Sequence, residues 1–120
     1  MIIMVKLKIE YDKENDILFA YDPKRKSYGS IEIGDGIVID FDKQRKVDAI
    51  ELISATELLE ALTQKKVTKE NLDSITSAAM TTKVRRGVEI VLIMLAWANE
   101  TIEAPLTLPN LRQKMAARTS

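Results

Sequence analysis

The chain has 120 residues, 18 acidic and 18 basic side chains, and neither cysteine nor histidine. Disulfides, thiolate metal sites and cysteine nucleophiles are excluded, and the commonest general base and zinc ligand is missing, so the composition points away from an enzyme and no cofactor is expected. The length suits a single small β-rich domain over about 1–110, and its charge is uneven, with 13 acidic and 9 basic residues in 1–60 against 5 and 9 in 61–120, an asymmetry that can align two copies head to tail or place opposite faces together within one fold.

Residues 1–5 lack the basic flank, apolar length and small-residue cleavage site of a signal peptide. The longest apolar run, 90–98, has nine residues, about half of what a membrane-spanning helix requires. A cytoplasmic protein without membrane attachment is expected. Residues 4–11 alternate, with Val5, Leu7, Ile9 and Tyr11 on one face and Lys6, Lys8 and Glu10 on the other, which predicts a strand packed on one side. The turn composition of 12–15 leads into a second strand over 16–21, antiparallel to the first because the loop is short. Asp22-Pro23 and the basic triplet Lys24, Arg25, Lys26 mark an exposed loop. A third strand is read over 28–33 and a fourth over 37–42. They are joined at Asp35-Gly36, the residue pair that most readily supplies the two positive φ angles of a type I′ turn. A fifth strand over 47–53 completes an antiparallel β-meander of short strands.

Ser54 and Glu57 have the S-x-x-E spacing of a capping box. Ala55, Leu58, Leu59 and Leu62 form one apolar stripe, so one amphipathic helix is predicted over about 55–65, with Lys65 and Lys66 at the negative end of its dipole. Thr68 can cap a further turn through Asn71, turning Leu72 and Ile75 inward. Helix and strand templates both fit 74–80, and the state of 74–86 stays open. Residues 88–97 are apolar on both faces except for Glu89 and suit a strand. With the turn at 98–100 and the alternation of Ile102, Ala104, Leu106 and Leu108, they predict a C-terminal β-hairpin over about 88–108, completing the sheet within a 61–110 extension. Pro105 and Pro109 place its second arm at a sheet edge or strand end. The basic tail, 111–120, is read as mobile or docked on a partner. The fold class is mainly β, α+β.

The spacing Tyr11-Asp12-x-Glu14-x-Asp16-x-Leu18, then Gly34-Asp35-Gly36-Ile37-Val38-Ile39-Asp40-Phe41-Asp42, then Val47-x-x-Ile50-Glu51-Leu52-Ile53-x-Ala55 resembles the family known as domain of unknown function 2283 over about residues 5–60. The resemblance implies a compact β-meander ending in a short helix. It also implies an antitoxin-like or partner-binding role, since some members are encoded beside toxin-like partners, and it supplies no catalytic residues. Lys43-Gln44-Arg45-Lys46 stands where the family has a glycine-containing turn.

No catalytic residue is identified. Asp12, Glu14 and Asp16 have the spacing of the first calcium-loop ligands, but Ile17 falls where glycine is needed and Pro23 where the bidentate glutamate belongs. Asp40 and Asp42 share a strand face, with Asp35 in the preceding turn, yet no second cluster forms the dry pocket that carboxylate catalysis needs. Glu51, between Ile50 and Leu52, is a candidate for a buried ion pair with Lys83, Arg85 or Arg86. Lys83, Arg85 and Arg86, with Arg112, Lys114 and Arg118 of the tail, form a basic set without a neighbouring aromatic platform, which argues against nucleic acid. A strand apolar on both faces must be covered twice, either at the centre of the fold or at an interface. Val91, Ile93, Leu95 and Trp97 are accordingly expected to pack a homodimer or higher homo-oligomer. The reading is a non-enzymatic assembly or protein-binding module. The alternatives are a small-ligand or divalent-metal enzyme using the acidic turns and a nucleic-acid-binding regulator.

Overall fold

A computed structural model describes residues 3–108. The expected alternations become strands β1 (Met4–Asp12), β2 (Ile17–Tyr21), β3 (Gly29–Ile33), β4 (Ile37–Phe41) and β5 (Val47–Ile53). Helices α1 (Ala55–Thr63) and α2 (Lys69–Asp73) follow, then β6 (Ser77–Arg85), β7 (Val88–Trp97) and β8 (Glu100–Leu108). The open segment at 74–86 is thus a strand from Ser77, with Ala78 and Met80 buried on one face. Residues 111–120, and with them Arg112, Lys114 and Arg118, lie outside the described residues.

The eight strands run β3-β4-β5-β2-β1-β6-β7-β8 across the sheet, and every neighbouring pair is antiparallel. The mainly β, antiparallel fold is as expected. The order adds one crossing: β5, not β3, pairs with β2, so the loop at 22–28 carries the chain out to the edge. Strand β1 changes partner midway. Its residues 4–7 pair with β6 and its residues 8–12 pair with β2. The sheet therefore consists of a first half (β3, β4, β5, β2 and the end of β1) and a second half (the start of β1, β6, β7 and β8). Their apolar faces share one core. Leu18, Ile39, Ile50 and Leu52 come from the first half and Val91, Ile93, Leu95 and Ile102 from the second, with Leu59 of α1 and Leu72 of α2 between them. Each such side chain is worth about 1.5–3 kcal/mol on burial. Helix α1 lies against β5 of one half and β8 of the other.

Helix α1 does not begin as its local sequence suggests. Ser54 sits in the left-handed region (φ 57°) and its side chain makes no cap, because the chain turns from β5 into the helix across that single residue. The cap comes from Asp16, 40 residues away in the β1–β2 turn. Its carboxylate accepts the Thr56 amide at 3.2 Å and the Thr56 hydroxyl at 2.6 Å, and its carbonyl accepts the Ala55 amide at 2.9 Å. The helix ends at Thr63, with Gln64 left-handed, so Lys65 and Lys66 fall beyond its last turn. The Thr63 hydroxyl and the Gln64 side-chain amide instead satisfy the carbonyls of Leu59 and Ala61. Thr68 does cap α2, in a reciprocal capping box with Asn71.

The β3–β4 connection is also different from the expected turn. Three residues, 34–36, separate the paired Ile33 and Ile37, and of these Gly34 and Gly36 have positive φ, whereas a type I′ turn needs two adjacent ones. Two adjacent positive φ values occur instead at Arg86 (53°) and Gly87 (77°), between the paired Arg85 and Val88. At Gly36 the carbonyl accepts the Ile53 amide at 2.7 Å, φ is +94°, and a Cβ would stand 2.9 Å from the Ile53 carbonyl oxygen. Gly34 has φ +57° and open space around it. Gly36→Ala is therefore expected to lower stability by about 2–3 kcal/mol and Gly34→Ala by about 1 kcal/mol, as read by urea denaturation of the two variants.

Candidate functional site

The pairing of β4 with β5 slips between Asp40 and Phe41, so that Asp40 faces Ala49 and Phe41 faces Val47. Asp48 is the extra residue of this β-bulge, and the slip changes which face each neighbour occupies. Val47 joins Phe41 and Ile39 on the core face, while Ala49, Glu51 and Ile53 stay on the outer one. The alternation that groups Val47 with Glu51 in the sequence is broken there.

The bulge carries a carboxylate into the protein. Asp48 is 2% exposed and Asp22 8%. The Ser27 hydroxyl lies 3.1 Å from both Asp48 oxygens, and the Asp22 amide donates to the Asp48 carbonyl at 2.8 Å. Arg25 reaches Asp22 through Nε and Asp42 through Nη1, each at 3.3 Å. Asp42 also accepts the Gln44 and Lys46 amides at 2.9 and 3.0 Å, which shapes the turn that lacks glycine. Arg25 thus bridges Asp22 and Asp42 and lies close enough to Asp48 to act on its charge. Desolvation pushes the Asp48 carboxyl above the usual carboxylate range, opposed by the Ser27 hydrogen bond and by Arg25. Desolvation also raises Asp40, helped by the charges of Asp48 and Glu51.

The sequence candidates separate in space. Asp35 precedes β4 and Asp42 follows it, so the length of the strand lies between them. Asp12 accepts the Asn15 amide at 3.1 Å and the Asn15 side-chain amide at 2.8 Å, and these bonds hold its pKa low. Asp16 takes the helix cap and the Tyr11 hydroxyl at 2.7 Å. Burial raises Asp16, but the hydrogen bonds from Thr56 and Tyr11 outweigh it and leave the carboxyl lowered. Glu14 is exposed. Among the described residues no three carboxylates are grouped to hold a metal ion.

Glu51 lies half-buried on the outer face between Phe19 and Val38. Lys83 and Arg85 lie on the exposed end of β6, with Arg86 in the turn beyond. The ion pairs among the described residues, Lys13–Glu70, Arg25–Asp22 and Arg25–Asp42, do not join these groups. Water reaches Glu51 on an open sheet face, so no buried counter-charge is required. Val91, Ile93, Leu95 and Trp97 are 0–3% exposed and form part of the core within one chain. The register of β7 against β6 and β8 gives the other side of the same strand to Ile90, Leu92, Met94 and Ala96, all half-exposed.

Residues 8–55 match the family described as "Protein of unknown function (DUF2283)", so the resemblance read in the sequence holds over that segment. It begins at Lys8, where β1 leaves β6 for β2, and ends at Ala55, the first residue of α1. The matched segment is the first half of the sheet. The chain is 43% identical over 54 residues to an uncharacterised protein of Methanocaldococcus jannaschii, covering 45% of this chain and 46% of that one. It is 39% identical over 49 residues to a Methanosarcina mazei protein named "Putative hypoxanthine phosphoribosyltransferase", covering 41% of this chain and 39% of that one. The chain thus spans less than half the length of these curated relatives. No solved structure matches it.

The shifted carboxylates set a pH dependence whose sign follows from the direction of each shift. Asp40 and Asp48 are raised, so their contribution to stability is complete below the ordinary carboxylate pKa and is lost as pH rises through the folded-state value. Asp12 and Asp16 are lowered and act oppositely, contributing above the ordinary pKa and losing that contribution as pH falls through the folded-state value. Asp48→Asn keeps an acceptor for Ser27 and removes the buried charge. It is expected to gain about 1 kcal/mol at pH 7 and to have a smaller advantage at acid pH, measured as urea midpoints across the titration. Asp16→Ala leaves the Thr56 amide and the Tyr11 hydroxyl without their acceptor and is expected to cost about 2–3 kcal/mol in the same assay.

Proposed function

We propose that the protein is a non-enzymatic assembly module that pairs with a second copy of itself through the outer face of the second half-sheet. The observation that carries this reading is the ridge of Ile90, Leu92 and Met94. It is half-exposed on a strand whose opposite side is already in the core. Val88 at 42% and Met4 at 60% exposure extend the apolar surface, which is the kind of patch that marks an interaction site.

The charges beside the ridge favour one arrangement. By register, Lys6 of β1 and Lys83 and Arg85 of β6 share this face on one side of the ridge, and Glu103 of β8, paired with Met94, shares it on the other. A two-fold axis along β7 sets the basic side of one copy over the acidic side of its mate. An axis across the strands in the plane of the interface sets like charges together, which is unfavourable. The family match ends at Ala55, so this mode of assembly belongs to the part of the chain beyond the family segment.

Analytical ultracentrifugation of the wild-type chain is expected to show a dimer in the micromolar range, and Leu92→Lys a monomer with an unchanged circular dichroism spectrum. Lys6, level with Glu103 through Ala79 and Met94, gives the charge test: Lys6→Glu is expected to weaken the dimer, and Lys6→Glu combined with Glu103→Lys to restore it. A wild-type chain that stays monomeric throughout that range contradicts the proposal.

A further inference from the structure

At the end of the fold where β1, β5 and β7 begin, a cavity of about 280 Å³ lies between the two halves of the sheet. Its apolar lining comes from Val5, Val47 and Met80, the last two almost fully buried. Its charged lining comes from Glu89 on the second half and from Lys46 and Arg25 on loops of the first.

Glu89 continues the inward row of Val91, Ile93, Leu95 and Trp97, so the alternation that builds the core brings a carboxylate to the edge of that core. Its cross-strand neighbours are Val84 and Leu108, which supply no counter-charge. Burial alone raises its pKa. Arg25 is already held by Asp22 and Asp42. Lys46 makes no ion pair among the described residues. The cavity thus has one negative and one available positive group, contributed by different halves of the sheet and not paired with each other. Thr81 also borders the cavity, although the register sets its side chain opposite Leu92, on the other face of the sheet.

We propose that this cavity binds a free α-amino acid with an apolar side chain. The ammonium group meets Glu89, the carboxylate meets Lys46, and the side chain lies on Val5, Val47 and Met80. Glu89, partly desolvated and unpaired, calls for a cationic group, and Lys46, exposed at the rim and in no ion pair among the described residues, is placed to meet a carboxylate on the same ligand, so a zwitterion uses both. The volume falls just below the range of about 300–1,000 Å³ usual for small-molecule sites, which selects a small ligand. The site lies on the inner side of the sheet, apart from the ridge at Ile90, Leu92 and Met94, so it stands or falls independently of self-association.

Titration of the full chain with L-leucine, followed by ¹H–¹⁵N spectra, is expected to give saturable shifts of the Val5, Val47, Met80 and Glu89 amides. Leucinamide and 4-methylpentanoate each lack one of the two charges and are expected to bind at least about tenfold more weakly. Glu89→Gln should weaken leucine about tenfold while leaving 4-methylpentanoate unchanged, and Lys46→Gln should weaken leucine while leaving leucinamide unchanged. Absence of saturable shifts up to ~10 mM leucine, or a single-charge analogue that binds the wild-type chain as tightly as leucine, overturns the proposal.

Discussion

Strand β1 pairs with β6 over residues 4–7 and with β2 over residues 8–12, and the rest of the structure depends on that exchange. A flat eight-stranded sheet leaves the apolar sides of β2, β5, β6 and β7 facing water on one surface. Because one strand belongs to both halves, those sides come together over a common core. Leu7, at the exchange point, is itself in that core. The helices complete the arrangement by filling the space the two halves leave, with Leu59 and Leu72 fully buried.

The second consequence is a division of labour within the sheet. The family segment, residues 8–55, carries the polar network of Asp22, Arg25, Ser27, Asp42 and Asp48, and with Asp16 it carries the tie between the β1–β2 turn and α1. The remaining strands carry little polar structure but the longest apolar strand, β7, one side of which the core uses completely. The other side is where a second copy is proposed to bind. The open end between the halves, where Glu89 and Lys46 line one cavity, exists because the halves come from different stretches of chain whose charges were never adjacent in sequence.

Much of the fold is legible from alternation. The strands, the C-terminal hairpin and the apolar stripe of α1 all follow from period and composition, because each is a local pattern with one buried face. Three features were not legible, and each for a physical reason. The Ser54–Glu57 spacing is a sound local cap signal, but Ser54 is left-handed and makes no cap, and Asp16, 40 positions from Thr56 and held by the turn before β2, takes the Ala55 and Thr56 amides instead. The bulge at Asp48 is a one-residue insertion that leaves no mark in a run such as Val47 to Ile53, yet it moves Val47 to the core and buries a charge. The inner and outer sides of β7 are both apolar, so the sequence shows that two coverings are needed without showing which side the protein's own core takes. Val91, Ile93, Leu95 and Trp97 are the side it takes.

The central claim is that sharing β1 makes the two halves one cooperative unit. Trp97, the only tryptophan, is buried in the second half, while the amides of β4 and β5 report on the first. Urea unfolding at one protein concentration, followed by Trp97 fluorescence and by the β4 and β5 amide resonances, tests the claim most directly. The account predicts coincident midpoints for both probes. A first half that keeps its native resonances after Trp97 has become exposed would contradict it.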